Sequence, residues 1–417
     1  MTIRILSTYC LVFLVGFQST RVFGQERQEL DNIPIVKEAL DSICQTFIES
    51  KRVAGGVCMI QDKTGIFYQN AFGMQSIEDR IPMTLNSLFR IASMTKPLTS
   101  LAVLILVDEG LLSLDDNVSD YLPQIADLPV RTRDSRIERQ KMPVTIRHLL
   151  THTSGLRSAA DPWFEQNNIP FNEASSLREF VDLLLKAPLI SQPGEEFNYA
   201  MNNDVCARII EVITGSDFGL FLNERILIPL QMYSTSFIVS AEDLPRLSSV
   251  YQIRRDSFVL IEGRNPVQSN FARGNGHLVS SAGDYMNFLK MLLNDGAFNG
   301  KRIISKSGLQ KLWEDILPSQ IQLKVGSTAF PDSGFGLSVA ISRGSRDHWK
   351  PLPVSFENLF RHLPAGSFSW PGIVNTYFWV DPDHKIAGVV LSQMVDPLKS
   401  SHFQLFTQAF YTHFLGH

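Results

Sequence analysis

The order of apolar patterns along the chain restricts its fold more than any single motif does. Strand-like runs lie near both ends of the sequence, and the middle, to about Asn294, carries mostly helical patterns joined by loops. Near the N-terminus, Gly55 to Ile60 and Ile66 to Ala71 flank Asp62-Lys63-Thr64-Gly65, which is typical of a hairpin turn. Strands from opposite ends can bury their apolar residues in one shared sheet. The order therefore predicts a two-lobed α/β architecture with a cleft at the junction.

The individual elements follow from apolar periodicity. In the first helix the spacing puts Ile35, Ala39, Ile43 and Phe47 on one face. We expect one domain over residues 25–417, with an α/β lobe at about 30–92 and 295–417 and a helical lobe at about 93–294. The clearest predictions are helices over Ile35–Glu49, Ser93–Glu109, Thr145–Leu150, Leu177–Leu185, Asp204–Ile213, Ala282–Leu293 and His402–Phe414, and strands over Gly336–Ile341, Thr376–Val380 and Ile386–Leu391.

The N-terminal segment has the features of an export signal. Arg4 supplies positive charge, Leu11 to Phe17 is apolar but short for a bilayer, and Val22 and Gly24 are small-residue positions. Residues 1–24 are therefore predicted to be a cleaved signal peptide, which makes the protein secreted or periplasmic. The alternative is an uncleaved N-terminal anchor. We expect no stable membrane partner beyond this signal.

Charge and cysteine content argue against several classes of protein. The formal net charge is −4 and no basic run occurs, which argues against a nucleic-acid partner. After the signal, Cys44, Cys58 and Cys206 are too few and too widely spaced for a disulfide framework or a metal cluster. His148 and His152 are four apart, but no glutamate follows His148 as it does in zincins. The sequence predicts no metal and no cofactor, and it does not predict the oligomeric state.

A candidate nucleophile begins the most hydrophobic predicted helix. Ser93 and Lys96 form a Ser-x-x-Lys pattern, which on its own can occur by chance in 417 residues. Unpaired N–H groups and the helix dipole favour negative charge at a helix start. Lys96 lies one turn further on the same face, so its neutral amine could take the Ser93 proton. The alternative is a serine N-cap beside a surface lysine.

The segment Phe89 to Pro97 resembles the nucleophile segment of the β-lactamase-like serine hydrolases. That superfamily contains class C β-lactamases, D-alanyl-D-alanine peptidases and the family VIII carboxylesterases, and this chain is most similar to the last. The resemblance implies a two-lobed β-lactamase/transpeptidase-like fold, with an antiparallel sheet flanked by helices and a helical lobe. It extends from about residue 35 to the C-terminus, and the other agreeing stretches are Thr145–Leu156, Pro193–Tyr199, Gly334–Leu337 and Trp379–Pro382.

The same resemblance implies roles for further residues. Tyr199 would be the phenol that shares the proton with Ser93 and Lys96. The lactamases have Tyr-x-Asn here, and this chain has Met201 in place of the asparagine. Asn202 could supply the missing side-chain amide only if the pattern were shifted by one residue. The segment from Trp370 to Ile373 stands where the lactamases have Lys-Thr-Gly. Trp370 and Gly372 would bind substrate. The backbone N–H of Ile373 would form the oxyanion hole together with that of Ser93.

These features predict a serine hydrolase that cleaves carboxylic esters of small to medium acyl groups through an acyl-Ser93 intermediate. Its partner is a small-molecule ester or amide substrate. The main alternative is a β-lactamase or D-alanyl-D-alanine carboxypeptidase, against which Met201 and Trp370 argue. An acyltransferase and a catalytically silent binding protein on the same fold remain open alternatives.

Overall fold

The computed structural model describes residues 33–131, 136–265, 270–344, 350–395 and 402–415. The predicted signal peptide, residues 1–24, lies outside these ranges. Within them, no helix combines the length and the apolar character needed to cross a membrane.

The core of the fold is an antiparallel sheet assembled from both ends of the chain. Its eight strands among the described residues are β1 (Gly55–Gln61), β2 (Ile66–Ser76), β3 (Ile81–Pro82), β14 (Ser333–Phe335), β15 (Ala340–Ser342), β16 (Phe368–Gly372), β17 (Thr376–Asp381) and β18 (Ile386–Ser392). They run in the order β14-β15-β16-β17-β18-β1-β2-β3. The two ends of the chain meet where β1 pairs with β18, with Gly56 opposite Ser392 and Gln61 opposite Ala387.

The remaining strands form two-stranded pairs outside the main sheet. The one that matters for the site is β4 (Leu88–Arg90), which pairs with β9 (Val279–Ser281) and leads into the predicted nucleophile. The other strands are β5 (Val130–Arg131), β6 (Ile137–Glu138), β7 (Val250–Arg254), β8 (Ser257–Glu262), β10 (Ala297–Phe298), β11 (Lys301–Arg302), β12 (Lys324–Val325) and β13 (Thr328–Ala329).

Helices cover both faces of the sheet. The described helices are α1 (Ile33–Glu49), α2 (Thr95–Asp108), α3 (Ile146–Leu150), α4 (Pro162–Gln166), α5 (Leu177–Leu184), α6 (Asn202–Thr214), α7 (Phe218–Leu222), α8 (Ala282–Leu293), α9 (Lys306–Gln310) and α10 (His402–Phe414). Successive residues of β17 reach opposite faces, because Tyr377 stacks on Phe403 of α10 whereas Phe378 contacts Tyr285 of α8. The strand is therefore buried on both sides.

These features confirm the predicted fold class, a two-lobed α/β fold with an antiparallel sheet flanked by helices. The predicted lobe boundaries stay a prediction. Helix α8, which that division assigns to the helical lobe, packs on β1 and β18 of the sheet. Helix α2 runs through the interior, with every residue from Thr95 to Leu106 buried.

Two local predictions were wrong. The buried face of α1 is Val36, Leu40, Cys44 and Phe47, whereas Ile35 is 56% exposed. The predicted and the observed apolar faces are adjacent on the helix. Contact with the sheet and α10 determines which of the two is buried.

The predicted strand Gly336–Ile341 is interrupted by a tight loop between β14 and β15. Ser338 has φ +66°, and the Gly336 N–H bonds to the Val339 carbonyl at 2.9 Å. The N–H groups of Leu337 and Ser338 bond to the carbonyls of Leu312 and Leu150, outside the sheet. The loop thus exchanges sheet hydrogen bonds for bonds to neighbouring segments.

Candidate active site

Ser93 lies in a strained turn between β4 and α2. Residues Ala92–Met94 form a single 3₁₀ turn, and α2 begins only at Thr95, two residues later than the sequence predicts. Ala92 has φ +45°, a conformation that is costly for a residue with a β-carbon. Two hydrogen bonds hold the turn. The Ile91 N–H donates to the Leu278 carbonyl at 2.9 Å, and the Met94 N–H donates to the Ile91 carbonyl at 3.0 Å.

Three predicted catalytic side chains meet at the hydroxyl of Ser93. Lys96 Nζ donates to Ser93 Oγ at 3.0 Å, and the Tyr199 hydroxyl donates to the same oxygen at 2.8 Å. Lys96 Nζ also lies 4.6 Å from the centre of the Tyr199 ring. The amine comes from α2 and the phenol from the loop before α6, so the two reach Ser93 from different segments.

A chain of buried polar contacts holds Lys96 in place. Its Nζ also donates to the carbonyl of Asn275 at 2.8 Å, and the side chain is only 1% exposed. The N–H of Asn275 donates to Asp204 Oδ1 at 3.0 Å. Asp204 is fully buried and pairs with Arg273, whose Nη2 lies 2.6 Å from Oδ2. This pairing compensates for the burial of the Asp204 carboxylate, and it fixes the carbonyl that orients Lys96.

Trp370 lies behind Tyr199 rather than on the cleft wall, which corrects its predicted contact with substrate. Its indole Nε1–H donates to Tyr199 Oη at 3.2 Å, and the side chain is 2% exposed. The indole is stacked on Phe360, with ring centres 5.4 Å apart and an interplanar angle of 5°. Because β16 is buried on both faces here, the side chain packs into the interior and acts on Tyr199.

Gly372 packs against the turn before Ser93. A β-carbon at this position would lie 2.2 Å from Thr376 Oγ1 and 2.5 Å from the carbonyl oxygen of Ile91. The close approach to this turn requires glycine, and the predicted contact of Gly372 with a bound substrate stays a prediction. Thr376 reinforces the same junction, because its hydroxyl donates to the Ile91 carbonyl at 3.2 Å.

Ile373 and Ser93 both line an open cavity of about 860 Å³. The Ile373 side chain is 64% exposed. The predicted oxyanion hole, made by the N–H groups of Ser93 and Ile373, stays a prediction. Much of the cavity wall is apolar, and its apolar side chains include Phe164, Ile169, Phe171, Phe180, Met201 and Val374.

His152 supports the site in a way that the sequence did not show. It is fully buried, has φ +56°, and its ring centre lies 4.7 Å from that of Tyr199. Nδ1 lies 2.7 Å from Asn202 Nδ2, so it accepts a hydrogen bond in the neutral form. Burial, and then the charge of Lys96, lower the pKa of His152 well below its ordinary value. The imidazole is therefore a neutral packing and hydrogen-bonding partner for the Tyr199 segment.

The other candidates from the sequence have structural roles. His148 caps α3, since its Nδ1 accepts from the Thr145 N–H at 3.2 Å and its own N–H bonds to Thr145 Oγ1. Asn202 is engaged by His152 and by the hydroxyl of Ser154, so it does not supply the amide that Met201 lacks. Among the described residues, no group of three or more His, Cys, Asp or Glu side chains could hold a metal ion.

Comparison with known proteins agrees with this fold. The family model described as Beta-lactamase matches residues 40–408. The chain belongs to the beta-lactamase family. This match covers most of the chain and includes all the predicted site residues.

Three relatives show how varied the family is. Protein Rv1367c of Mycobacterium tuberculosis is 30% identical over 354 residues, which is 82% of this chain and 86% of that protein. The ML-236A carboxylate methylbutanoyltransferase of Penicillium citrinum is 26% identical over 89% of this chain and 94% of its own length. Esterase EstB of Burkholderia gladioli is 34% identical over 213 residues, 49% of this chain and 52% of the esterase.

A solved structure gives the same view of the fold. EstCE1, described as a hydrolase with promiscuous acyltransferase activity, superposes with a TM-score of 0.73 and covers 91% of this chain and 99% of its own. Its sequence identity is 22%, so the likeness concerns the fold alone.

Proposed function

We propose that this protein is a serine hydrolase that cleaves carboxylic esters with small to medium acyl groups, and that it acts outside the cytoplasm as its predicted export signal implies. The observation that carries the proposal is the convergence of Lys96 Nζ and Tyr199 Oη on Ser93 Oγ, at 3.0 and 2.8 Å. Two hydrogen-bonding groups at a serine hydroxyl in a cavity wall are what activation of a serine nucleophile requires. The same convergence argues against a catalytically silent binding protein.

In the proposed reaction Ser93 Oγ attacks the ester carbonyl carbon. The neutral amine of Lys96 accepts the Ser93 proton, directly or through the Tyr199 hydroxyl, and the proton then passes to the oxygen of the leaving alcohol. The carbon–oxygen bond to that alcohol breaks, and the acyl group stays on Ser93. Water then attacks the acyl carbon, the bond to Ser93 Oγ breaks, and Oγ regains a proton as the carboxylic acid leaves.

The choice of an ester over a lactam or a cell-wall peptide rests on two positions. Met201 lines the cavity with a thioether where lactamases present an amide. Trp370 stands where lactamases present a lysine, and its indole is turned to Tyr199, so this position offers no cation to a substrate carboxylate. The similarity to esterase EstB supports the same choice.

Acyl transfer is the second candidate. An acyl-enzyme can be intercepted by an alcohol instead of water, and the relative from Penicillium citrinum, which aligns along nearly its whole length, is a methylbutanoyltransferase. Transfer and hydrolysis share every step up to the acyl-Ser93 intermediate. They differ only in the acceptor that enters the cavity.

The test compares p-nitrophenyl butyrate with a chromogenic cephalosporin, using protein from residue 25 onwards. We expect hydrolysis of the ester with the higher kcat/KM, and its loss in Ser93→Ala. Ser100→Ala is the matched control, because Ser100 lies on the same helix and its buried hydroxyl has no hydrogen-bond partner among the described residues. Activity of Ser93→Ala equal to that of the control would disprove the nucleophile, and a higher kcat/KM for the cephalosporin would reverse the substrate assignment.

A further inference from the structure

The segment Gly274–Leu278 is tied to the nucleophile turn and α2 at four points. Thr99 Oγ1 donates to the Gly274 carbonyl at 2.7 Å, and Lys96 Nζ donates to the Asn275 carbonyl at 2.8 Å. At its other end, the Leu278 N–H donates to Thr95 Oγ1 at 3.4 Å and the Leu278 carbonyl accepts from the N–H of Ile91. A segment held in this way places whatever side chain it carries in a fixed position near Ser93.

His277 is the residue of this segment whose side chain has no structural partner. It has φ +77°, and it lines the cavity that also contains Ser93. Within the described part of the chain, its imidazole makes no hydrogen bond or ion pair. A left-handed conformation in a residue with a β-carbon is costly, and such strain is concentrated at functional sites.

The imidazole of His277 is in the state that a base requires. The His277 residue is exposed overall, and partial desolvation of its ring at the cavity wall, followed by the positive charge of Arg273, lowers its pKa from the ordinary value. Lys96 acts in the same direction and Asp204 opposes it. The other charged groups on the cavity wall are Arg90, Glu165, Glu173 and Glu262. The ring is therefore neutral at pH 7 and can accept a proton.

The second half of the proposed reaction needs such a group. When the acyl-enzyme breaks down, Ser93 Oγ is the leaving group and must gain a proton. Lys96 and Tyr199 are both directed at that oxygen, so they serve as its proton donors at this stage. The attacking water must lose a proton at the same time, and a separate base removes the conflict.

We propose that His277 accepts the proton of the water molecule that attacks acyl-Ser93. This inference rests on the proposed hydrolase function. As the water oxygen bonds to the acyl carbon, one of its protons passes to an imidazole nitrogen. The bond from the acyl carbon to Ser93 Oγ then breaks and Oγ takes a proton from the Tyr199 hydroxyl. The proton held by His277 returns through water in the open cavity to the Tyr199 oxygen, which restores the resting state.

The test separates acylation from deacylation in His277→Asn. Asparagine tolerates positive φ better than most residues and cannot act as a base at neutral pH. With p-nitrophenyl butyrate we expect an undiminished burst of one p-nitrophenol per site, an unchanged kcat/KM, and a kcat lowered by roughly 10²- to 10⁴-fold. KM falls in parallel, because acyl-enzyme accumulates. His413→Asn, the same substitution at a histidine of α10 that does not line this cavity, is the control and should keep its kcat.

A second variant tests whether the effect of His277→Asn comes from a change in structure rather than from loss of the base. His277→Gly suits the backbone conformation, and added imidazole should restore its kcat. An unchanged kcat in His277→Asn, or a fall in kcat/KM equal to the fall in kcat, would overturn the role of His277. Failure of the hydrolase proposal itself is distinguishable, because the wild-type protein would then show no release of p-nitrophenol that depends on Ser93.

Discussion

Replacing Trp370 with phenylalanine tests whether Tyr199 is a reacting group. The change removes the Nε1–H donor that lies 3.2 Å from Tyr199 Oη and keeps an aromatic ring against Phe360. The hydrogen bond matters most in any step in which Tyr199 has given up its proton and its oxygen carries negative charge. It therefore contributes to catalysis only by the difference between its strengths in the charged and the neutral state.

The magnitude follows from that difference. A hydrogen bond to a neutral group contributes about 0.5–1.5 kcal/mol, and one to a charged group about 1.5–3 kcal/mol. The difference is about 1–1.5 kcal/mol, and at 1.36 kcal/mol for each factor of ten it lowers kcat roughly 5- to 13-fold. The 3.2 Å separation is at the long end of the usual range, which favours the smaller figure. Loss of indole volume lowers the free energy of unfolding by about 1–3 kcal/mol.

The assay is a double-mutant cycle on ester hydrolysis. Trp370→Phe is measured in the wild-type protein and in Tyr199→Phe, where no Oη remains to accept the bond. We expect the loss in kcat to disappear in the second background. Trp379→Phe, a fully buried tryptophan on the neighbouring strand, is the control for lost volume. An equal loss in both backgrounds would refute the reasoning, because Trp370 would then act by packing alone.

Two further predictions concern stability. Because the pKa of His152 is lowered in the folded protein, the unfolded state binds more protons below about pH 6.5, and the free energy of unfolding falls as pH decreases through that range. In His152→Asn, urea denaturation should show a pH dependence smaller by up to about 1.4 kcal/mol per unit, and an unchanged slope would contradict this. Gly372→Ala should lower both Tm and kcat/KM, because its β-carbon meets the Ile91 carbonyl. Gly283→Ala is the control and should lower neither Tm nor kcat/KM, because its β-carbon meets no atom within 4 Å. Equal losses in the two variants would show that the contact of residue 372 with the Ile91 carbonyl is not the cause.

The sequence was most informative where periodicity or a motif is local. The predicted bounds of α8 (Ala282–Leu293) and α10 (His402–Phe414) agree with the structure. The approach of Lys96 to Ser93 was predicted from their spacing of three positions, and it holds although Ser93 lies in the 3₁₀ turn before α2 rather than in the helix. The approach of Tyr199, 106 positions from Ser93, depended on the family resemblance, because no local pattern brings distant segments together.

Side-chain direction on buried strands was beyond the sequence. The motif at Trp370 marks a strand beside the site, but alternation cannot say which face of a strand meets the cleft when both faces are buried. The loop at Ser338, which interrupts the predicted strand Gly336–Ile341, was not predicted for a related reason. The positive φ of Ser338 is stabilised by a bond from its N–H to the Leu150 carbonyl, which is 188 positions away in the chain.

The support of Lys96 shows why motif residues alone do not define this site. Gly274 fits against α6 so closely that a β-carbon there would lie 2.0 Å from the Asn203 carbonyl oxygen. The neighbouring Asp204 accepts a hydrogen bond from the N–H of Asn275, and the carbonyl of Asn275 accepts one from Lys96 Nζ. Because Asn203 and Asp204 follow Tyr199 closely in the chain, one segment both delivers the phenol and fixes the amine. A displacement of this segment must therefore disturb both partners of Ser93 together.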